Sequence, residues 1–168
     1  MAKQESLKKK KSRAMQGPVK PVPAQLPYDV RLSATAEAAY ERFFDLAEQA
    51  RARGDQSSSH ITTLKMIDEV IEKIIPRDPF NKRYALHEDL SRIFRYWKGR
   101  LRICWMGSSK KRLVYVIFIS ETLRKGGDLN DPYRILTRLV MSGAFDSVFD
   151  ELGLERPTHS SLNPFAVQ

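Results

Sequence analysis

Between Asp89 and Glu121 the chain carries eight basic residues and no acid: Arg92, Arg95, Lys98, Arg100, Arg102, Lys110, Lys111 and Arg112. They are set among β-branched and aromatic residues that alternate as in strands. A sheet that gathers uncompensated positive charge suits an anion, and a polyphosphate backbone is the commonest such partner. An ordinary solvated surface fits less well, because it normally mixes both signs of charge. Lys98-Gly99 reads as a two-residue hairpin turn. That turn sets Arg95 across from Arg102 and Trp97 across from Arg100 on one face, with Phe94, Tyr96, Leu101, Ile103 and Trp105 on the core face. Two directly opposed arginines repel by about several tenths of a kcal/mol. A phosphate between them reverses the sign through paired, charge-assisted hydrogen bonds. Trp97 adds a flat surface for an unstacked base, a contact worth about 1–3 kcal/mol.

A second group of chemically capable residues follows a hydrophobic strand. The segment Glu121-Thr122-Leu123-Arg124-Lys125-Gly126-Gly127-Asp128 turns through two glycines and releases Glu121, Arg124 and Lys125 beside the basic sheet. Glu121 or Lys125 suits proton transfer there, and Arg124 suits charge stabilisation. Asp131 reads instead as a helix cap. His60, His87 and His159 are scattered, and Cys104 is the only cysteine, so neither a metal site nor a cofactor is expected. Gly-rich phosphate loops, G-x-S-x-G and H-E-x-x-H are all absent from the sequence. Cys104 reads as a small buried hydrophobe.

The elements that must hold these residues are legible from periodicity. After Ser33 and Thr35, either of which suits an N-cap, Ala36, Tyr40, Phe43, Phe44, Ala47 and Ala50 keep a helical rhythm that Gly54 closes. Leu64, Ile67, Val70, Ile71, Ile74 and Ile75 mark a second helix stopping at Pro76. Residues 77–89 form an irregular connection. Ser91–Trp97, Arg100–Met106 and Leu113–Ser120 read as three strands, the last apolar on both faces. Asn130 or Asp131 with Pro132 opens a third helix to about Met141, closed by Gly143, and Phe145–Leu152 is a short amphipathic segment. The expected fold is α+β: an N-terminal helical hairpin on a small antiparallel sheet, then a C-terminal helix, with the sheet's other face left for a ligand.

Composition bounds the rest. The 168 residues, 42% hydrophobic, suit a single domain. Of the net charge of +9, residues 1–27 supply +6 from seven Lys or Arg and one Glu, so the remaining 141 residues carry nine less six, or +3. Acids therefore occur freely outside the acid-free block, which makes that block more informative. Residues 1–27 read as a disordered Lys/Pro-rich arm, residues 28–156 as the folded domain and residues 157–168 as a flexible tail. No segment has the length of a membrane span or the pattern of a secretory signal. With a single cysteine, the expectation is a soluble cytoplasmic protein.

Taken in order, these residues resemble the YhaV-type toxins of type II toxin–antitoxin modules, within the RelE/ParE superfamily. The resemblance covers about residues 35–143. It rests on Ser91-Arg92, Gly99-Arg100-Leu101-Arg102, Thr122-Leu123-Arg124 and Asp131-Pro132-Tyr133, with Tyr40 in the first helix and Val70-Ile71-Glu72 in the second. It implies a RelE-like fold and a metal-independent endoribonuclease. Such an enzyme cleaves mRNA, free or on the ribosome, through the 2′-OH, and so inhibits translation and growth. It also implies a cognate antitoxin of the AbrB/SpoVT type, with a swapped-hairpin DNA-binding domain. Carried onto this chain, the catalytic set is Arg92, Arg102, Arg124, Glu121 and Lys125. The RNA-binding set is Arg95, Trp97, Lys98, Arg100, Lys110, Lys111 and Arg112. Three features depart from the pattern. Strict alternation puts Arg92 on the face opposite Arg102 unless a bulge intervenes. Only His159 stands near the C-terminus, and the Lys-rich arm is additional. Three other functions fit the same residues: a non-catalytic nucleic-acid binder, a ParE-like inhibitor of a protein target, and a structural nucleic-acid protein acting through its arm.

Overall fold

The chain enters the fold through a strand. Asp29–Leu32 alternates exposed Asp29 and Arg31 with half-buried Val30 and Leu32 and forms β1. The computed structural model describes residues 27–87, 90, 92–122 and 128–157. Ser33 then opens helix α1 (Ala34–Ala52): its Oγ accepts from the Ala36 amide at 3.2 Å and donates to the Ile117 carbonyl at 3.3 Å, so one hydroxyl both caps the helix and ties it to the sheet. Ser58 caps α2 (Ser59–Glu69), which begins five residues before Leu64, the first apolar position of the expected stripe. Past Glu69 the helix widens into a π-helical turn, Val70–Ile74, where the Ile75 amide reaches back to the Val70 carbonyl at 2.9 Å before Pro76. Ala47 and Ala50 of α1 pack with Ile61 and Leu64 of α2, flanked by Tyr40 and Phe43.

Three further strands follow a 3-10 turn at Lys82–Tyr84: β2 (Phe94–Lys98), β3 (Leu101–Ser108) and β4 (Leu113–Glu121). Asp131 caps α3 (Pro132–Met141) through the Tyr133 amide at 3.0 Å, with Pro132 at the first helical position, where its missing N–H is no loss. The short α4 (Asp146–Leu152) ends at Gly153, whose φ of +67° is the left-handed conformation that favours glycine at a helix end.

The sheet order is β1-β4-β3-β2, with β1 parallel to β4 and the other pairs antiparallel. The fold is α+β, but the sheet is mixed, not wholly antiparallel as expected. A strand of four residues, between Pro27 and the Ser33 cap, is too short for alternation to announce it, and the parallel pairing depends on β4, some eighty positions later.

Both faces of the sheet are covered. On one, Leu101, Ile103, Trp105, Val114, Val116 and Ile119 meet Ala36, Ala39, Ile67 and Val70 of the first two helices. On the other, Cys104, Met106, Ile117 and Phe118 meet Leu136 and Val140 of α3 and Phe149 and Leu152 of α4. The second face was expected to lie open for a ligand; the C-terminal helices take most of it instead. Among the described residues no helix is long and apolar enough to cross a membrane.

Candidate functional site

What remains open is the hairpin end of the α3/α4 face. The loop is Gly99-Arg100, with Lys98 opposite Leu101. Gly99 has φ +56° while Arg100 stays out of the positive region, the pattern of a type II′ turn, which wants glycine first. Lys98-Gly99 would put that glycine second. The expected register therefore shifts by two: Trp97 faces Arg102 and Arg95 faces Cys104, so the directly opposed arginine pair is not formed. An even shift preserves the faces. Arg95, Trp97 and Arg102 share one side, and Phe94, Tyr96, Leu101, Ile103 and Trp105 pack on the other as expected.

Two cross-strand rows underlie this end, and only the outer one is open, since Cys104 and Phe118 of the inner row are buried. The outer row is Ser120 of β4, Arg102 of β3 and Trp97 of β2; the inner row is Phe118, Cys104 and Arg95. Adjacent strands lie about 4.8 Å apart, so a row of three spans about 10 Å. Arg102 Nη1 donates to the carbonyls of Gly99 at 2.7 Å and Leu101 at 2.9 Å. Those two bonds hold the guanidinium against the turn. Its Nε and Nη2 donors have no partner among the described residues. Arg95 lies over the Trp97 ring at 4.7 Å and the Tyr133 ring at 5.3 Å, and its Nη1 donates to the Tyr133 hydroxyl. Trp97 is 52% exposed. Ser120 and Thr122 share a hydroxyl hydrogen bond of 2.8 Å beside Arg102.

Beneath the arginines lies Cys104, fully buried. Burial pushes its thiol up from 9.0 to about 12, against the opposing pull of Arg95 and Arg102. Such a thiol is inert at neutral pH. Because the folded state holds this proton more tightly than the unfolded chain, its contribution to stability is complete below about pH 9 and is lost as pH rises towards about 12. Chemical denaturation should show a falling midpoint between pH 8 and pH 11, and Cys104→Ala should flatten part of that fall. A thiol reagent should label the native chain far more slowly than the denatured one.

The remaining expected site residues are dispersed. Arg92 precedes β2 and contacts Glu155 beyond α4, through its carboxylate at 3.7 Å and its carbonyl at 3.2 Å. The ladder alternation that set Arg92 against Arg102 does not apply to it, and the bulge in this sheet lies elsewhere, where Ile117 of β4 is passed over between the Cys104–Phe118 and Trp105–Val116 pairs. Glu121 sits opposite Leu101 on the α1/α2 face, where its carboxylate accepts from Thr63 Oγ1 at 3.2 Å, so the sheet separates it from Arg102. Lys110, Lys111 and Arg112 occupy the β3–β4 turn, seven rises from Leu101 or about 24 Å away. There Lys111 donates to the Glu151 carbonyl and Arg112 stacks on Tyr28 at 4.3 Å. The basic block that is continuous in sequence is thus split between the two ends of the sheet. Arg124 and Lys125 lie outside the described residues. Sequence reasoning missed Ser120, Thr122 and Tyr133 as parts of this surface. Ser120, the one hydroxyl closing an apolar run, was the available signal.

The surface is thus a small cationic and aromatic platform on the edge of an α+β domain, of the kind that holds a phosphodiester chain. Residues 31–156 match the family described as a toxin with endonuclease activity, of a toxin–antitoxin system, Toxin_YhaV, and the chain belongs to that family. The protein is therefore a toxin with endonuclease activity. Among solved structures, the toxin–antitoxin complex RelBE2 from Mycobacterium tuberculosis contains a chain 17% identical to this one, with a TM-score of 0.42 over 56% of this chain and 91% of that one. No curated protein sequence matches.

Proposed function

We propose that the hairpin end is the active site and that its substrate is RNA, cleaved without a metal ion. One observation carries this reading: among the described residues, none of Arg95, Arg100 and Arg102 pairs with a carboxylate, although ion pairs are common elsewhere in the fold. Three cations left uncompensated around one hairpin are offset by phosphates. In the proposed reaction the 2′-oxygen loses its proton and attacks phosphorus, the bond from phosphorus to the 5′-oxygen breaks, and that oxygen takes up a proton. The products are a 2′,3′-cyclic phosphate and a 5′-hydroxyl. Arg102 stabilises the crowded phosphorane through its outward donors. Arg95, held between Trp97 and Tyr133, grips a neighbouring phosphate, and the free face of Trp97 stacks a base. Arg100 extends the contact at the turn, while Lys98, in the row of Leu101 and Glu121 on the other face, is kept as a peripheral contact only.

Arg124 and Lys125 stand in the sequence between Thr122, beside Arg102, and the N-terminus of α3, beside Arg95, and we assign them to the same site as charge stabiliser and proton carrier. Arg92 is assigned to the strand's far approach, where its exposed pair with Glu155 contributes at most about 1 kcal/mol and yields readily to phosphate. Lys110 is kept as an outlying RNA contact, while Lys111 and Arg112 are assigned structural roles. Glu121 is not given a proton-transfer role, since it faces the helices. The first two helices are read as the family's N-terminal hairpin, and the target as mRNA in the cytoplasm, free or on the ribosome. The cognate partner is read as an AbrB/SpoVT-type antitoxin.

Purified toxin should cleave RNA undiminished in excess EDTA, and a 2′-deoxy nucleotide at the scissile position should abolish the cut. Cleavage lost in EDTA, or retained at the deoxy linkage, would overturn the mechanism. Growth arrest without new RNA 5′ ends would favour the protein-target inhibitor.

A further inference from the structure

On the opposite side of the molecule a cleft of about 500 Å³ lies where α1, the π-helical turn and β1 converge. Its floor is apolar, made by Leu32, Tyr40 and Ile71, and Phe44, one helical turn beyond Tyr40, is 45% exposed. Its rim is entirely anionic: Glu37 and Glu41 from α1, Asp68 and Glu72 from the facing helix. Among the described residues only one of these carboxylates is engaged from within the cleft, Asp68 accepting from the Tyr40 hydroxyl at 2.8 Å. The π-helical turn contributes Ile71 and Glu72. An apolar trough rimmed by one sign of charge is matched to a segment of the opposite sign carrying a few apolar residues.

We propose that this cleft is the docking site of the chain's own N-terminal arm, with Lys8, Lys9, Lys10 and Lys11 against the four carboxylates. Charge complementarity is the first argument: residues 1–26 hold seven Lys or Arg and one Glu. Placement is the second. The Tyr28 amide bonds to the Pro76 carbonyl at 3.0 Å, so the arm leaves the fold where the π-helical turn ends. Glu72 and Asp68 lie four and eight residues back from Pro76, about 6 and 12 Å along the helix. The sixteen residues between Lys11 and Tyr28 can span up to about 53–58 Å. The lysines therefore reach the rim easily, and the tether gives them a local concentration of about millimolar, an advantage no untethered cation has. Docked there, the arm cancels a negative field that would repel RNA from the helical side of the toxin. The inference does not rest on the nuclease reading, since it concerns the opposite face.

The test uses the full chain, mixed in equal parts with its 15N-labelled copy and treated with a carbodiimide, which joins lysines to carboxylates in direct contact. The expected result is links from Lys8–Lys11 to Glu37, Glu41, Asp68 or Glu72, about ten-fold enriched over links to Asp45, Glu48, Asp146 or Asp150 and confined within one isotope. Even spreading over all acids overturns the proposal. So do links that join the two isotopes, which would make the occupant a second copy. Trypsin provides a second reading: cleavage after Lys8–Lys11 should accelerate about ten-fold in the E37Q/E41Q/E72Q variant, whose three positions are exposed, and about equally for wild type in 1 M salt. Unchanged rates in both would show the arm undocked.

Discussion

Replacing Arg102 by alanine is expected to lower RNA cleavage by about 10²–10³-fold, the loss typical of one preorganised donor aimed at developing charge. Induced expression should then no longer arrest growth, and mapped RNA 5′ ends should return to the uninduced pattern. The size of the effect follows from geometry. Nη1 is committed to the Gly99 and Leu101 carbonyls, so the guanidinium is already oriented when substrate arrives and its other donors need no reorganisation. Arg102→Lys keeps the charge but loses the planar fork, and should recover only part of the activity. The same two carbonyl bonds stabilise the turn, at about 1 kcal/mol each, so a modest fall in Tm should accompany the loss. A fall in activity that tracked Tm across both variants would mark Arg102 as a hairpin support only. Undiminished cleavage in Arg102→Ala would remove it from the site.

Trp105→Ala is expected to cost about 3–5 kcal/mol of stability, the largest single effect in the core. Trp105 is fully buried in the middle of β3. Its ring meets Tyr84 edge to face at 5.4 Å and stacks on Phe94 at 6.3 Å, and its Nε1 donates to the Pro79 carbonyl at 2.8 Å. That one side chain anchors the irregular 77–89 connection to the sheet. Trp105→Phe separates packing from hydrogen bonding: it retains most of the ring but leaves the Pro79 carbonyl unpaired, at about 1–3 kcal/mol. Urea denaturation of both variants measures the two contributions. Because Trp105 lies on the face opposite Arg102, native-state cleavage per folded molecule should change little.

Some of this architecture could be read residue by residue. Ser33, Asp131 with Pro132, Gly54 and Pro76 punctuate the helices through local chemistry that needs no tertiary partner, and the helix positions they marked are the observed ones. The in-out pattern of β2 and β3 placed Phe94, Tyr96, Leu101, Ile103 and Trp105 in the core for the same reason: alternation belongs to the strand itself. β1 escaped notice because its evidence lies in β4. The covered second face escaped notice because amphipathicity shows that α3 and the short α4 bury a stripe but not which side of the sheet receives it, and that is settled by the packing of Leu136, Val140, Phe149 and Leu152 on Cys104, Met106, Ile117 and Phe118.

From its amino acids alone the chain declared a basic α+β protein with an acid-free, strand-rich block, and the family resemblance followed from four short motifs in order. Those are properties of composition, spacing and local backbone preference. Only the folded structure decided which of the block's cations stand together. A hairpin whose turn begins at Gly99 brings Arg95, Trp97 and Arg102 to one end, while eight residues of β3 carry Lys110, Lys111 and Arg112 to the other. Strand pairing is long-range, and one glycine's place within a turn sets the register for everything beyond it, so neighbours in sequence need not share a site.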